Sequence, residues 1–464
     1  MTRAFRRIRC TLILALSAVP ALAGAPEALD EFVRAEMARQ KVPGVAVAVL
    51  KGNEIVKMQG YGLANVELDV PVGPQTIFQS GSLGKQFTAA AVMLLVEDGK
   101  IGLEDSIAKF LPDAPQSWRP ITVRHLLTHT SGIPDYAEGS VDFRRDYTED
   151  ELARLAFALK LEFPVGARWN YSNTGYVLLG IVIRRASGRF YGDVLRDRVF
   201  GPLGMKTARV ISEADIVPNR AAGYRLVDGE LKNQEWVAPK LNTTADGSLY
   251  FSILDLVAWS KALRDRAILR PESWAQACTP VALNSGKTYP YGFGWSLDEV
   301  GGRKVQQHGG AWQGFKTHLA RYLDDDLTIV VLANLAEAQP ERFAEGIAAL
   351  INPALAVPEP APIPDREPAV TARVGDLLAA AGEGRLRPEE FAYVRAGFFP
   401  ETADAYRKLL RDLGPPRRID LLERREVGDD RVYRYQVAYA AKTLRVTLGL
   451  APDDKISVFA IRSK

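Results

Sequence analysis

The stretch Ser80-Gly81-Ser82-Leu83-Gly84-Lys85-Gln86-Phe87-Thr88 places a serine and a lysine, Ser82 and Lys85, one helical turn apart. The apolar residues that follow recur with the period of a helix, and Asp98-Gly99 supplies a stop signal. We therefore predict that Ser82 lies at the start of a buried helix, with Lys85 on the same face. The apolar positions are Phe87, Ala90, Ala91, Leu94 and Leu95.

A serine and a lysine on one helix face can form a nucleophile and its base. A hydroxyl becomes nucleophilic only when a base or a cation lies close to it, and the partial positive charge at a helix start favours an alkoxide. The pattern S-x-x-K is short, however, and also fits a helix N-cap serine beside a solvated lysine. Partners elsewhere in the chain must decide between these two interpretations.

Length and composition are those of an ordinary globular protein. The chain has 464 residues, 47% hydrophobic and 25% charged, which suits a large domain with a smaller one beside it. The 59 basic and 56 acidic residues nearly balance, and we find no basic stripe along the sequence. We therefore expect no nucleic-acid partner.

The first 23 residues have the pattern of a secretory signal. Four arginines precede an apolar run over 11–22 that is too short to span a bilayer, and Ala21-Leu22-Ala23 fits a cleavage site. We predict a signal peptide over 1–23, a secreted or periplasmic location, and no stable membrane span after cleavage. Of the two cysteines only Cys278 would then remain, so no intrachain disulfide is expected.

Strand and helix patterns predict an α+β fold for the larger part of the chain. A β-hairpin over 42–61 and three strands further along are expected to share one antiparallel sheet, and the sequence between them is mostly helical in period. We predict a sheet of five or more antiparallel strands flanked by helices, with a helical subdomain, over 24–356. The late strands are assigned to 304–308, 314–323 and 327–332, and 291–295 is strand-like.

A proline-rich segment over 357–368 predicts a linker to a second unit. Beyond it, helical segments precede segments with alternating apolar residues, which predicts a small α+β domain over 369–464. This domain carries no motif with an evident chemical role, so an accessory role is expected. Its helices are assigned to 370–381, 388–399 and 402–413, and its strands to 419–425, 431–439, 443–450 and 456–461.

Tyr171-Ser172-Asn173 is the first candidate partner of Ser82. A tyrosine whose pKa is lowered by a neighbouring lysine can act as a general base, and an asparagine can anchor the lysine and donate to a substrate carbonyl. A buried tyrosine beside a turn asparagine is the structural alternative.

His308-Gly309-Gly310 is the second candidate partner, at the end of one predicted strand and before the next. Two glycines allow a substrate to approach the backbone closely, and a histidine can donate a hydrogen bond or hold a carboxylate. A β-turn with a surface histidine is the alternative interpretation.

Taken together, the order and separation of these three motifs resemble the serine β-lactamase and penicillin-binding-protein superfamily, in its class C-like branch. Three further stretches match: His125-Leu126-Leu127-Thr128-His129-Thr130-Ser131-Gly132-Ile133, Tyr291-Gly292-Phe293-Gly294-Trp295, and Gly309-Gly310 continuing to Gly314-Phe315. The resemblance covers about residues 26–350 and implies a β-lactamase-like fold for that part. The C-terminal part resembles the small domains appended to such hydrolases.

The resemblance also implies roles for the motif residues. Ser82 would be the acylated nucleophile, Lys85 its proton acceptor or the group that keeps Tyr171 ionised, and Tyr171 the acid for the leaving group and the base for water. Asn173 would hold Lys85 and contact the acyl side of the substrate. The backbone N–H groups of Ser82 and Ala311 would form the oxyanion hole.

The third motif departs from the Lys-Thr-Gly usual in β-lactamases and peptidases of this superfamily, because His308-Gly309-Gly310 stands in its place. A mostly neutral histidine removes a fixed charge that would bind a carboxylate. The sequence therefore looks more like the esterase and D-aminopeptidase relatives. We expect a secreted serine hydrolase that acts on an ester, an amide or a D-amino-acid peptide through a Ser82 acyl-enzyme.

Two alternatives stay open. The first is a β-lactamase or D-Ala-D-Ala carboxypeptidase, and the second is a penicillin-binding sensor that is acylated without turnover. The expected partner is a small-molecule or peptide substrate, with cell-wall peptides among the candidates, and neither a cofactor nor a metal centre is predicted. The oligomeric state is left open.

Three histidines and two aromatic residues need separate interpretations. His125 and His129 are expected to brace loops through bonds to the backbone, and His318 to be structural in a strand. Trp312 and Phe315 follow the third motif and either line the pocket or pack against the sheet.

Overall fold

The computed structural model of the chain describes residues 25–136, 141–395 and 397–463. The predicted signal peptide over 1–23 lies outside the described residues. Among those residues, no helix combines the length and the apolar character that crossing a membrane requires.

A seven-stranded antiparallel sheet forms the centre of the larger part of the molecule. The early strand Gly44–Lys51 pairs with the late strand Leu327–Ala333, so that Val45 lies opposite Ala333. The prediction that early and late strands share one antiparallel sheet is therefore confirmed. In spatial order the strands are Ser296–Val300, Arg303–Trp312, Phe315–Tyr322, Leu327–Ala333, Gly44–Lys51, Glu54–Asn65 and Val70–Pro71.

Both faces of this sheet are covered, which explains why its central strands are apolar throughout. Val45, Val47 and Val49 point to one side, where they pack with the helices Ala25–Gln40 and Pro340–Ile351. The alternate residues of the same strand join the main core on the other side, which the helix Lys85–Glu97 occupies. That helix is therefore buried along most of its length.

In the sequence, the remaining helices and strands of this part come between the early and the late strands of the sheet. The helices are Val123–Leu127, Glu149–Phe157, Asn173–Ser187, Tyr191–Leu195, Gly201–Leu203, Ile253–Arg264 and Pro271–Ala277. The short strands are Phe78–Gln79, Arg209–Val210, Tyr224–Val227, Glu230–Asn233, Leu249–Phe251, Val281–Ala282 and Thr288–Tyr289.

The C-terminal part forms a second core around a four-stranded antiparallel sheet. Residues 357–367 have no regular secondary structure, and the Ile363 N–H donates to the carbonyl of Leu421 in the first strand of that sheet. The elements are the helices Pro368–Glu383 and Ala403–Leu410 and the strands Arg418–Val427, Asp430–Ala438, Thr443–Leu450 and Ile456–Ser463.

Three predicted elements differ from those observed. The strand predicted to end at His308 runs on as Arg303–Trp312, because Gly309 and Gly310 keep pairing with Phe315–Tyr322. The strand-like 291–295 is a connection joined to the sheet by a single bridge at Tyr291. The helix predicted over 388–399 is wrong, since Phe391 bridges the C-terminal sheet and the segment holds only short turns.

Candidate active site

Ser82 lies in a single tight turn, Gly81–Gly84, directly before the helix Lys85–Glu97. The predicted buried helix is present. Ser82 was predicted to lie in the first turn of this helix, but it lies three residues before the first helical residue, Lys85. Gly81 has a φ of +53°, a conformation that L side chains rarely adopt, and this bend directs Ser82 out of the core. Ser82 is consequently half-buried, whereas Lys85 is fully buried.

The Ser82 turn is held tightly against the strand Arg303–Trp312. A Cβ on Gly81 would lie 2.4 Å from the backbone nitrogen of Ala311, and one on Gly310 would lie 2.0 Å from the Ser80 carbonyl oxygen. The Thr317 hydroxyl donates to that same carbonyl over 2.7 Å. These contacts bring the backbones of Ser82 and Ala311 side by side, the arrangement that two oxyanion-hole donors require.

Lys85 is the central cation of the site. Its Nζ donates to Ser82 Oγ at 3.1 Å, to Asn173 Oδ1 at 2.6 Å and to the Asp246 carbonyl oxygen. Burial lowers the pKa of Lys85 to about 8, and the negative charges of Asp246 and Asp135 oppose that lowering. An amine with this pKa is uncharged in an appreciable fraction of molecules near neutral pH and can then accept the Ser82 proton.

Two carboxylates lie behind Lys85 and were not singled out from the sequence. Asp135 accepts from the backbone N–H of Asn173 at 3.2 Å and from its side-chain amide at 2.9 Å. Asp246 accepts from the Tyr136 hydroxyl at 2.8 Å through Oδ2. Both aspartates are buried, and their negative charges act on the lysine. The only feature of the sequence that pointed to Asp135 was its position directly after the loop 128–134.

Tyr171 faces the same centre from the opposite side. Its ring centroid lies 4.9 Å from Lys85 Nζ and 6.2 Å from the His308 ring centroid. Its hydroxyl is buried and makes no formed hydrogen bond to any described residue. Burial raises the pKa of Tyr171 well above its ordinary value, and the nearby Ser82 hydroxyl offsets this only in part. The predicted lowering of the tyrosine pKa is therefore wrong for the resting site, because desolvation dominates and the charges of Asp135 and Asp246 raise the pKa further.

The segment that carries Tyr171 is fixed by His129. The Ser172 N–H donates to His129 Nδ1 at 3.1 Å, and the His129 ring packs on Tyr171 with centroids 4.3 Å apart. The Ser172 side chain then caps the helix Asn173–Ser187. The expectation that His129 braces a loop through the backbone is confirmed, as it is for His125, which accepts from the Thr122 N–H.

His308 lies in the neighbouring strand with both ring nitrogens in use. Nε2 lies 2.9 Å from the Tyr291 hydroxyl and Nδ1 lies 2.6 Å from the Gly309 carbonyl oxygen. Burial and, to a smaller extent, the charge on Lys85 lower the pKa of His308 to about 3, although the bond to Gly309 opposes both. His308 is therefore uncharged near neutral pH, and it is buried, contrary to the alternative of a surface histidine.

The structure thus brings all the predicted residues to one place, from the turn, the Tyr171 segment and the late strand. Phe315 packs in the main core, whereas Trp312 stays half-buried beside Phe143 with its ring nitrogen bonded to Asn242. His318 is buried in its strand. Within the described residues, no cluster of histidine, cysteine or acidic side chains is arranged to hold a metal ion.

Comparison with known proteins gives the family. The family model described as beta-lactamase matches residues 29–352. Penicillin-binding protein 4* of Bacillus subtilis (strain 168) is 32% identical over 63% of this chain and 68% of its own length. A D-aminopeptidase of Gluconobacter oxydans (strain 621H) is 30% identical to this chain. The match covers 70% of this chain and 62% of the length of the D-aminopeptidase.

A solved structure agrees with these relatives in fold. The D-amino acid amidase from Ochrobactrum anthropi SV3, crystallised with L-phenylalanine amide, matches with a TM-score of 0.62 and 26% identity. The match covers 72% of this chain and 98% of the amidase. The chain therefore belongs to the β-lactamase and penicillin-binding-protein-like superfamily and is a serine hydrolase with D-aminopeptidase and D-amino acid amidase relatives.

Proposed function

We propose that the protein hydrolyses amides or esters of D-amino acids, including N-terminal D-residues of peptides, through an acyl-enzyme on Ser82. The observation that carries the proposal is the 3.1 Å contact between Ser82 Oγ and the buried Nζ of Lys85. The named activities of the D-aminopeptidase and the D-amino acid amidase support the substrate class. The uncharged His308 supports it too, since it offers no fixed charge to a substrate carboxylate.

In the proposed acylation, neutral Lys85 takes the proton of Ser82 as Oγ attacks the substrate carbonyl. The N–H groups of Ser82 and Ala311 stabilise the oxyanion. Because its raised pKa keeps Tyr171 protonated, this residue supplies the proton that the departing amine or alkoxide needs when the C–N or C–O bond breaks. Asn173 keeps Lys85 in place between Ser82 and Asp135.

Deacylation reverses the two proton transfers. The Tyr171 phenolate, left beside the protonated Lys85, takes a proton from water as the water oxygen attacks the acyl carbon. The bond to Ser82 Oγ then breaks, and Lys85 returns its proton to that oxygen. The sum is one amide or ester plus one water giving one carboxylic acid and one amine or alcohol.

A substrate panel with a Ser82→Ala control tests this function. We expect turnover of D-alanine p-nitroanilide and D-phenylalanine amide in preference to their L-forms, and loss of all turnover in Ser82→Ala. Mass spectrometry should detect an acyl group on Ser82 when a slow ester is used. Turnover that survives Ser82→Ala would reject the acyl-enzyme.

The same substrate panel tests the competing functions. Nitrocefin and a D-Ala-D-Ala peptide represent the β-lactamase and carboxypeptidase alternatives. A stable Ser82 adduct with penicillin, without turnover of any substrate, would establish the sensor instead.

We also propose that residues 1–23 direct export and are removed. The charged start and the short apolar run of this segment support that proposal. N-terminal sequencing of the protein recovered from a secreting host should begin at Gly24, and an intact Met1 would contradict the cleavage.

A further inference from the structure

A continuous row of hydrogen bonds runs behind the catalytic serine and ends on the third motif. The Ser172 N–H donates to His129 Nδ1 at 3.1 Å, and His129 Nε2 lies 3.2 Å from the Tyr291 hydroxyl oxygen. That oxygen lies 2.9 Å from His308 Nε2, and His308 Nδ1 lies 2.6 Å from the Gly309 carbonyl oxygen.

The two ends of this row fix the state of each Nδ1 atom, and the middle proton follows because His308 is neutral. A backbone N–H can only donate, so His129 Nδ1 accepts and the proton of the neutral ring resides on Nε2. His129 then donates to Tyr291, whose single hydroxyl proton is left for His308 Nε2. A carbonyl can only accept, so His308 carries its proton on Nδ1 and gives it to Gly309.

We propose that Tyr291 and His129 are positioning residues that hold His308 as a neutral, Nδ1-protonated ring with no free donor, and so exclude a carboxylate from this side of the site. The inference rests on the proposed function and refines its substrate class. The favoured substrates are D-amino-acid amides, esters and peptides whose group next to His308 is uncharged. A carboxylate there would meet a ring nitrogen already filled by Tyr291, and the His308 ring would offer it neither a donor nor a charge.

The groups around His308 favour the same state. Lys85 repels a second positive charge from one side, and His318 does so from the neighbouring strand. The Tyr171 ring lies 6.2 Å from the His308 ring. Tyr176 lies beside Tyr291 and gives its own proton to the Leu127 carbonyl at 2.9 Å, so its oxygen is a second acceptor near the Tyr291 proton. The 2.9 Å contact with His308 Nε2 is the competing hydrogen bond on which the inference rests.

The tautomer can be read directly by nitrogen-15 NMR on the unmodified enzyme, because the chain has only four histidines. A long-range proton–nitrogen spectrum of histidine-labelled protein should show one ring protonated on Nδ1 that stays neutral down to about pH 4. A His308→Gln sample assigns that signal. A His308 ring protonated on Nε2, or one that titrates near pH 6.5, would overturn the proposal, and this reading needs no change to Tyr291.

Tyr291→Phe tests the consequence for selectivity. Without the Tyr291 proton, His308 Nε2 becomes free to take up a proton, so the pKa of His308 should rise above about 3, while burial and Lys85 still hold it below its ordinary value. The ratio of kcat/KM for a D-Ala-D-Ala peptide to that for D-alanine amide should rise as the pH is lowered towards this pKa. Its limit is about tenfold, the size expected of one hydrogen bond to a charged group.

Tyr289→Phe is the matched control. Tyr289 also loses only a hydroxyl, and its ring stack on Trp169, with centroids 4.3 Å apart, is kept. Equal losses for both substrates in Tyr291→Phe, with an unchanged His308 signal, would reduce Tyr291 to a packing role and reject the inference. Failure of the proposed function is separate, since it appears as turnover surviving in Ser82→Ala.

Discussion

Lys85 combines two demands that oppose each other. In the proposed mechanism its amine must be uncharged to accept a proton from Ser82, and it must be held firmly enough to face that serine. Burial meets the first demand, while Asn173, Asp135 and Asp246 meet the second at the cost of favouring the charged form. The pKa of about 8 is the balance between these effects.

The pH dependence of kcat/KM should report that balance. Since only neutral Lys85 accepts the Ser82 proton, kcat/KM should rise with pH through a limb centred near the Lys85 pKa of about 8. Asp246→Asn removes a negative charge that raises this pKa, so the limb should move to lower pH by about one unit. The measurement is a pH–rate profile with a D-amino acid p-nitroanilide.

Asp113→Asn is a suitable control for this shift, because Asp113 is exposed and lies outside the site. Its profile should superimpose on that of the unmodified enzyme. A limb in Asp246→Asn that stays in place or moves to higher pH would show that another group controls the profile.

The sequence predicted the residues proposed to perform the chemistry, but not the residues that shift the pKa values of those groups. Ser82 and Lys85 share one helical turn, so their proximity follows from the spacing alone. Asp135 and Asp246 come close to Lys85 only through tertiary packing of two loops, and no periodicity reports that. The raised pKa of Tyr171 was missed for the same reason, since desolvation depends on what surrounds the hydroxyl.

At the scale of elements, two adjacent glycines have different roles. A Cβ on Gly310 would lie 2.3 Å from Thr317 Oγ1 and even closer to the Ser80 carbonyl, whereas the nearest atom to a Cβ on Gly309 would be 3.6 Å away. Gly310 therefore lets the Ser82 turn touch the strand, whereas a Cβ on Gly309 would make only ordinary van der Waals contacts. The strand and the turn act as one unit because of this contact.

Gly310→Ala should separate the two elements. The added methyl group must displace the Ser80 carbonyl, which moves the N–H of Ser82 away from that of Ala311 and removes part of the oxyanion site. We expect kcat to fall by about a hundredfold or more, and the free energy of unfolding to drop by about 1–3 kcal/mol. Steady-state kinetics and chemical denaturation measure the two effects.

Gly309→Ala provides the stability control, since it should leave the free energy of unfolding unchanged. Equal destabilisation by both substitutions would show that the close approach at Gly310 is not what holds the turn.

Element predictions succeeded where the hydrophobic pattern was strong. The strand Thr443–Leu450 has the predicted bounds, as its apolar positions are regular. The strand through His308 was cut short because glycines usually end strands, whereas here Gly309 and Gly310 keep pairing with the strand Phe315–Tyr322. The segment 388–399 has apolar residues at helical spacing, but Phe391 uses its backbone to pair with Ile456.

For the molecule as a whole, the C-terminal part contacts the segment that carries Tyr171. Arg168 donates to Asp430 at 2.8 Å, and its guanidinium lies 5.7 Å from the centre of the Tyr393 ring. Trp169 lines a cavity of about 1280 Å³ between the two parts. An accessory role for the C-terminal domain is still a prediction, and these contacts indicate how it would act.

Asp430→Ala should weaken that support. Arg168 lies three residues before Tyr171 in the chain, so its release should loosen the tyrosine. We expect kcat to fall several-fold, with a smaller change in KM. The exchanged pair Arg168→Asp with Asp430→Arg should recover part of the loss, as expected for a partly buried ion pair worth about 1 kcal/mol. Steady-state kinetics of the four variants of this cycle give the coupling.

Asp429→Asn, at the neighbouring position, is the matched control and should behave like the unmodified enzyme. A fall in stability without any change in kcat for Asp430→Ala would limit the C-terminal contact to holding the molecule together.

The pairing of Gly44–Lys51 with Leu327–Ala333 has a consequence for the order in which the protein matures. The strand Gly44–Lys51 lies inside the sheet; it can pair early with Glu54–Asn65, but its second neighbour is available only when a late segment has been synthesised. A growing chain that already contains Ser82 therefore has no completed sheet, and it lacks the strand that supplies Ala311. Hydrolytic activity should consequently be absent from nascent chains and appear only after nearly the whole hydrolase part has left the ribosome.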